Sequence, residues 1–173
     1  AVRGRSKVGE PQVWPDVTGL SVLAVSGAKS QESVWFSATQ ISSSAAIRKM
    51  LADSEVPKVG YDLKRQIVGL SRLGVDLIGV LFDPLIAGHL LDAGQRNQGL
   101  ADLLDRFSDV VSASEILQDI PLTAEQGACV CHSVAALVHS MSDDIKKSGF
   151  QSLFNDVELP LAVVLAKMEC RGV

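Results

Sequence analysis

Two short apolar segments, each followed at once by a helical segment, constrain the fold of this 173-residue chain most strongly. "VPKVGY" predicts a brief strand, and Asp62 then suits the N-cap of a helix that ends at Gly74. "LIGVLFD" predicts another strand, and Asp83-Pro84 begins the next helix because proline fits the first helical position. A strand that follows such a helix re-enters the sheet parallel to its predecessor and right-handed. The alternation therefore predicts an α/β fold with parallel strands.

A β-hairpin is predicted before this unit, and helices are predicted between and after. "GLSVLAV" (19–25) and "SVWFSA" (33–38) are rich in β-branched or aromatic residues and are separated by turn-forming residues. "SSSAAIRKMLADSE" (42–55) predicts one helix with serine at its N-cap. From Leu100 onward the pattern is helical, and Thr123 is predicted to cap a long helix. Such a chain suits a single domain with one buried core.

Composition and charge exclude several classes of protein. Hydrophobic residues make up 47% of the chain and charged residues 21%, as in a globular protein with a sizeable interior. No apolar run reaches the roughly 18 residues of a membrane span, so no membrane partner is expected. The net charge of −4 argues against strong independent attraction to a phosphate backbone. The three cysteines form no even framework, which predicts a reducing intracellular compartment: the cytoplasm or nucleoid, or the nucleus, depending on the organism.

The N-terminal segment carries one dense basic cluster, Arg3, Arg5 and Lys7. No apolar segment follows it, so it is not a secretory signal. No initiator methionine precedes it, and we expect the chain to be a piece of a larger protein. The cluster is a candidate for weak binding of single-stranded DNA or a phosphate, although a solvated basic tail explains the same residues.

Thiol and imidazole groups suggest a metal site that the spacing does not favour. Cys129 and Cys131 are separated by one residue, whereas zinc sites usually separate paired ligands by two to four, and His132 follows directly. Small thiols packed in a helix explain the pair better. His89, alone within "AGHLLD", is more often a packed or surface side chain than a catalytic base.

The acidic residues at the strand ends are a second candidate site. Enzymes that hold divalent metals beside nucleic acid often place carboxylates where a strand gives way to a helix. Asp62 and Asp83 both occupy such positions, but Gln66, one helical turn past Asp62, carries an amide. Without further acids, N-caps stabilising each helix by about 1 kcal/mol explain both aspartates.

The segment "KVGYDLKRQIVGLSRLGVDLIGVLFDPLIAGHLLDAG" and the closing "LFNDVELPLAVVLAKMECRGV" resemble the 3′–5′ exonuclease-like domain of family A DNA polymerases and its junction with the polymerase domain. The resemblance runs from about Gly19 to Val173. It implies an RNase H-like (DnaQ-like exonuclease) fold, with a mixed sheet of about five strands flanked by helices. It places the exonuclease-like domain at 1–155 and the truncated opening helix of the polymerase domain at 156–173. "FDPLIAGHLLD" is somewhat closer to the theta-like repair polymerases.

The resemblance also implies where a metal site would lie. Active members of the family hold two metal ions with four acidic residues, and the metals polarise the scissile phosphate. At the first acidic motif, an Asp-x-Glu pair, this sequence has Arg3 and Arg5 nearby. At the second motif, Asp62 matches an asparagine and Gln66 matches the aspartate that binds metal.

The third motif of the family is Tyr-x-x-x-Asp on a long helix, where the tyrosine orients the attacking water. Here Cys129 stands at the first position and Val134 or Ala135 at the second. Asp83 matches an aspartate that lies beside the family's site and is not one of the four ligands. The resemblance therefore implies a pocket that has lost most of its acids.

The resemblance implies a fragment of a DNA-directed DNA polymerase that acts in replication or repair. The replaced acids imply that its exonuclease-like domain is a non-catalytic scaffold. Without the acids, the charge of two divalent ions is not neutralised, and proofreading should be absent. This piece then needs no cofactor, while the parent polymerase domain uses Mg²⁺. Its partners are its own polymerase domain and, through the parent protein, DNA. Leu161, Val164, Leu165 and Met168 form an apolar stripe suited to packing between domains.

Two alternative functions remain open from the residues. An active metal-dependent exonuclease would need other acids, such as Glu32, Asp53 or Asp76, in the site. A weak single-stranded DNA-binding module would use the N-terminal basic cluster, since cations at a vacated metal site can replace the metals electrostatically.

Overall fold

The structure, a computed structural model, describes residues 17–26, 29–95, 99–108 and 124–172. Strands and helices alternate in the first half, as predicted, and the second half is helical. The strands are β1 Gly19–Ser26, β2 Lys29–Ser37, β3 Lys58–Val59 and β4 Val80–Phe82. The helices are α1 Ala38–Ser43, α2 Ala45–Ala52, α3 Leu63–Arg72, α4 Pro84–Leu91, α5 Leu100–Phe107, α6 Ala124–Lys147 and α7 Leu159–Cys170. A π-helical turn, Leu153–Glu158, leads directly into α7.

The strands form two separate two-stranded sheets within the described ranges. β1 and β2 pair antiparallel, with Val22 opposite Val34, which confirms the predicted hairpin. β3 and β4 pair parallel, with Lys58 opposite Val80, which confirms the parallel return through α3. One continuous mixed sheet of about five strands is not seen in these ranges. β3 has only two residues before Gly60, and the strand expected ahead of the hairpin lies outside the described residues.

The helix predicted within 42–55 is confirmed as α2, whose N-cap is one of the predicted serines, Ser44, whereas the separate short helix α1 before it was not predicted. Ser37 begins α1 early through a capping box: its Oγ accepts the Gln40 N–H, and its own N–H donates to Gln40 Oε1 at 2.9 Å. Ser44 has an extended backbone and its Oγ accepts the Ile47 N–H, which starts α2. Serine side chains that bond to nearby backbone groups compete with helix continuation.

Two apolar clusters form the core of the described chain. The first lies among α4, α5, α6 and the π-helical turn, around Phe82, Leu137 and Phe154. The second lies among α1, α2, α3 and α7, around Ile41 and Ala166. α6 packs against the hairpin, β3, α4 and α5, and α7 packs against α3. The ends of β3 and β4 therefore lie where the two clusters meet.

Among the described helices, none combines the length and apolar character that crossing a membrane requires. Cys129, Cys131 and Cys170 are free thiols. The reducing compartment indicated by the cysteine number stays a prediction.

Candidate functional site

Asp62 occupies the turn between β3 and α3. Its backbone is left-handed, with φ 56° and ψ 55°, a conformation that aspartate tolerates because its short side chain bonds locally. The Asp62 carboxylate accepts a hydrogen bond from the Arg65 N–H at 3.3 Å and lies 3.9 Å from the Arg65 guanidinium. The N-cap role predicted for Asp62 is confirmed.

Asp83 occupies the corresponding turn between β4 and α4, and it is 1% exposed. Its Oδ1 accepts the Leu85 N–H at 2.9 Å, which is the predicted cap of α4, and also the Asp62 N–H at 3.1 Å. Its Oδ2 accepts the Leu63 N–H at 2.7 Å, at the start of α3. One carboxylate thus joins the N-termini of two helices. Of these three hydrogen bonds, the sequence predicts only the cap of α4, from the Leu85 N–H.

The charge of Asp83 is set by opposing effects. Burial raises the pKa of Asp83 from 3.8 to about 6, and the neighbouring Asp62 carboxylate also raises it. The N–H groups of Leu63, Leu85 and Asp62 act in the opposite direction, because they stabilise the ionised form. Burial prevails, so Asp83 takes up a proton at mildly acidic pH.

Gln66 folds back from α3 over the end of β3. Its Nε2 donates a hydrogen bond to the Tyr61 carbonyl oxygen at 2.9 Å. A Cβ added at Gly60 would lie 3.1 Å from this nitrogen, so the amide packs directly on the glycine backbone. A carboxylate at position 66 cannot donate that bond. Burial, with Asp62 and Asp83, raises the pKa of Tyr61 to about 12, so the phenol is neutral at physiological pH.

The α6 residues matched to the third motif carry no acid. Cys129 is exposed, Val134 is buried in the first cluster, and Ala135 is half-buried. Cys131 instead attaches α6 to the hairpin, since its thiol donates to the Ser21 carbonyl oxygen at 3.5 Å. Burial raises the pKa of the Cys131 thiol, which therefore stays protonated.

The side chains at the strand ends do not fit a pair of divalent metal ions. Hard cations require anionic oxygens, yet both oxygens of Asp83 already accept backbone N–H groups. In the part of the chain that the structure describes, no group of three or more His, Cys, Asp or Glu side chains could hold a metal. The Asp53 carboxylate accepts a hydrogen bond from the Glu55 N–H at 2.9 Å, and Asp76 is exposed. Neither belongs to a group of possible metal ligands within the described residues.

The remaining candidates lie elsewhere. Arg3, Arg5 and Lys7 fall outside the described residues, as does the side chain of Glu32. His89 is exposed, and its Nδ1 lies 2.8 Å from the Leu85 carbonyl oxygen one helical turn before it.

Comparisons with known proteins agree on one family. The family model described as DNA polymerase I, ribonuclease H-like domain, matches residues 19–120. DNA polymerase I of Geobacillus stearothermophilus is 32% identical over 133 residues, which cover 71% of this chain and 15% of that protein. DNA polymerase I of Mycobacterium tuberculosis is 27% identical over 171 residues, covering 91% of this chain and 18% of that protein. The chain therefore spans less than a fifth of the length of these relatives.

One solved structure extends the likeness to three dimensions. The POL domain of Pol1 from M. smegmatis, in complex with DNA primer-template and dNTP, matches with a TM-score of 0.67 and 25% sequence identity. The match covers 79% of this chain and 23% of that chain. The closer similarity to theta-like repair polymerases stays a prediction.

Proposed function

The chain belongs to the family of ribonuclease H-like domains of DNA polymerase I, and we propose on this basis that it is a non-catalytic, exonuclease-like scaffold within a family A DNA polymerase. The parent protein in this proposal is a DNA-directed DNA polymerase that acts in replication or repair. The scaffold retains the fold of a 3′–5′ exonuclease and supports the polymerase domain physically.

The side chain of Gln66 carries the proposal, because Gln66 stands at the position that the resemblance matches to a metal-binding aspartate. A two-metal site needs several anionic oxygens that are free to bind the ions and to offset their charge. The buried Asp83 carboxylate instead accepts three backbone N–H groups. Gln66 has replaced a carboxylate by an amide that donates to the Tyr61 carbonyl oxygen. The side chain at the matched ligand position is thus hydrogen-bonded to the chain's own backbone.

The partners follow from the family. In the M. smegmatis protein, the matched region is 23% of a chain that binds DNA primer-template and dNTP. We place the exonuclease-like domain at 1–155 and the opening helix of the polymerase domain at 156–173. DNA and Mg²⁺ then belong to the parent's polymerase domain, and this segment contributes packing surface.

A mixed sheet of about five strands is the finer form of the fold that we propose. The antiparallel β1–β2 pair and the parallel β3–β4 pair supply both kinds of pairing that a mixed sheet combines. α6 contacts both pairs, which supports placing them in one layer.

A nuclease assay tests the proposal. The protein, together with Asp62→Ala and Asp83→Ala as matched variants, is incubated with a 3′-labelled single-stranded primer and Mg²⁺ or Mn²⁺. We expect no shortening by any of the three proteins. Shortening by the unmodified protein that both variants abolish would instead make the chain an active exonuclease. Oligonucleotide binding that weakens steeply with salt would support a role for Arg3, Arg5 and Lys7 in binding single-stranded DNA.

A further inference from the structure

A groove lies beside β4, between the second half of α6 and the segment that follows α6. Its floor is apolar: Leu81 and Phe82 come from β4, and Val138 comes from α6. The Leu81 side chain is 56% exposed, so this apolar surface is open in the part of the chain that the structure describes. The groove holds about 190 Å³. Pockets that enclose a whole drug-sized ligand hold roughly 300–1,000 Å³, so this groove suits one ring system with the rest of the ligand outside.

The rim of the groove is polar, and none of the described side chains that line it is acidic. Ser142 and Lys146 stand one helical turn apart on α6, and Gln151 and Asn155 stand four residues apart on the following segment. The Ser142 hydroxyl donates to the Val138 carbonyl oxygen at 2.5 Å, which leaves its oxygen as an acceptor. Within the described ranges, neither amide side chain is engaged in a hydrogen bond. The rim therefore offers donors and acceptors that the described chain does not use.

The turn after α6 brings the two sides of the rim together. Gly149 has φ 75°, a left-handed conformation that glycine adopts without strain, and the chain turns there. Beyond the turn, Phe154 is fully buried, and its ring centroid lies 4.8 Å from that of Phe82. This contact fixes the segment against β4. Asn155, the next residue, is thereby held at the groove.

Lys146 is the charged group of the groove. Its Nζ lies 3.9 Å from Asp143 Oδ1, and the two side chains are 65% and 61% exposed. An ion pair this open to solvent stabilises a protein by at most about 1 kcal/mol, so an anionic ligand competes readily for the lysine. A phosphate suits it, because hydrogen bonds between two charged groups are the stronger kind.

We propose that the groove binds a deoxynucleoside monophosphate, either free or as an unpaired nucleotide of a DNA strand. The flat face of the base packs on Leu81 and Val138, as extruded bases do on apolar side chains. The edge of the base pairs with the amides of Gln151 and Asn155, since an amide offers the donor and the acceptor that match N6 and N7 of adenine. The phosphate lies at Lys146.

This groove is separate from the ends of β3 and β4 where the lost metal site would lie. Neither Gln66 nor the aspartates of those turns line it. On α6 it uses the half from Val138 onward, whereas the positions matched to the third motif lie between Cys129 and Ala135. The inference thus goes beyond the scaffold function, and a nuclease assay that refuted the scaffold would leave the groove unaffected.

Photo-crosslinking locates the ligand. The protein is irradiated with an azido derivative of dAMP, and peptide mass spectrometry identifies the labelled peptides. We expect label within 138–146 or 151–155, and we expect excess dAMP to prevent the labelling, whereas deoxyribose 5-phosphate, which lacks the base, should not. No label, or label confined to residues 1–16, would overturn the proposal. Equal competition by deoxyribose 5-phosphate would also overturn it, because the groove would then recognise only a phosphate.

Substitutions at the exposed rim test the contacts without disturbing the core. Lys146→Gln should weaken dAMP binding, measured by equilibrium dialysis, by about tenfold, and Asn155→Leu should weaken it by at least about fivefold. Lys147→Gln is the matched control: Lys147 is 75% exposed and lies 3.6 Å from Asp144, but it does not line the groove. The control should change binding by less than about twofold.

Equal losses in Lys146→Gln and Lys147→Gln would overturn the proposal, because binding would then be non-specific attraction to the phosphate. Single-stranded oligo(dA) distinguishes the two sources of the nucleotide. Binding of oligo(dA) that is tighter than that of dAMP and is weakened by Lys146→Gln would support an unpaired nucleotide of DNA as the ligand. Binding of dAMP alone, weakened by the same substitution, would support the free nucleotide.

Discussion

Asp83→Ala should destabilise the protein more at mildly acidic pH than at neutral pH, which is the reverse of an ordinary N-cap aspartate. The substitution leaves the N–H groups of Asp62, Leu63 and Leu85 without their acceptor. It also removes a buried carboxylate, whose ionised form is unfavourable in this environment. The lost hydrogen bonds destabilise the variant at every pH, whereas the removed charge matters only where Asp83 is ionised.

The magnitude follows from the pKa. The folded value of about 6 lies above the unfolded value of 3.8, so the folded protein binds more protons between them. Stability from this group is therefore fully present below the unfolded pKa and is lost as the pH rises through the folded pKa. At about 1.4 kcal/mol per pKa unit, the contribution changes by about 2 kcal/mol between roughly pH 4.5 and 7.5. The variant lacks this change.

Urea denaturation followed by circular dichroism measures the free energy of unfolding at both pH values. We expect the difference between the unmodified protein and Asp83→Ala to be larger by about 2 kcal/mol at the lower pH. Asp76→Ala, at an exposed aspartate, is the control and should change stability by less than about 0.5 kcal/mol at either pH. A larger difference at neutral pH would refute the reasoning, because the hydrogen bonds would then outweigh burial.

Three further substitutions test contacts that position the site and the core. Gln66→Glu should lower the free energy of unfolding by about 1–2 kcal/mol at neutral pH, because the new carboxylate would face the Tyr61 carbonyl oxygen with no proton to donate. An unchanged urea midpoint would contradict the hydrogen bond between Gln66 and Tyr61. Gly127→Ala should lower the melting temperature, since the added Cβ would clash with the Ser21 side chain. Ser21→Gly in the same chain should restore most of the loss. A double variant no more stable than the single one would argue against that contact. Phe154→Ala should lower the free energy of unfolding by about 3–5 kcal/mol, measured by thermal or urea unfolding, because the ring is fully buried. A loss below about 1 kcal/mol would mean that the first cluster is loosely packed.

Local signals in the sequence were sufficient for much of the fold. The caps at Asp62 and Asp83 were predicted because each aspartate stands between a strand pattern and a helix pattern, and N-caps depend only on neighbouring residues. The β1–β2 hairpin and the parallel pairing of β3 with β4 were predicted from the spacing of apolar residues and from turn-forming residues alone. The cap at Ser44 was among the serine caps predicted for α2, whereas the short helix α1, which begins at the capping box of Ser37, was missed.

Long-range contacts were not accessible in the same way. The bond from the Leu63 N–H to Asp83 joins residues 20 apart, so it depends on how β3 and β4 pair and not on local pattern. The loss of an acid at Gln66 was predicted from the resemblance, but the amide's bond to the Tyr61 carbonyl oxygen was not. The signal available in advance was that Asp62 and Asp83 both follow parallel strands, whose ends meet at one edge of the sheet.

Titration calorimetry with Mn²⁺ tests most directly whether the strand ends of β3 and β4 can hold metal. The unmodified protein is compared with Asp62→Ala and Asp83→Ala at neutral pH. We predict no saturable binding of a pair of ions and the same heat of dilution for all three proteins, because Gln66, at the position matched to a metal-binding aspartate, has no carboxylate and its amide donates to the Tyr61 carbonyl oxygen. Paired, saturable binding that either substitution abolishes would contradict this prediction.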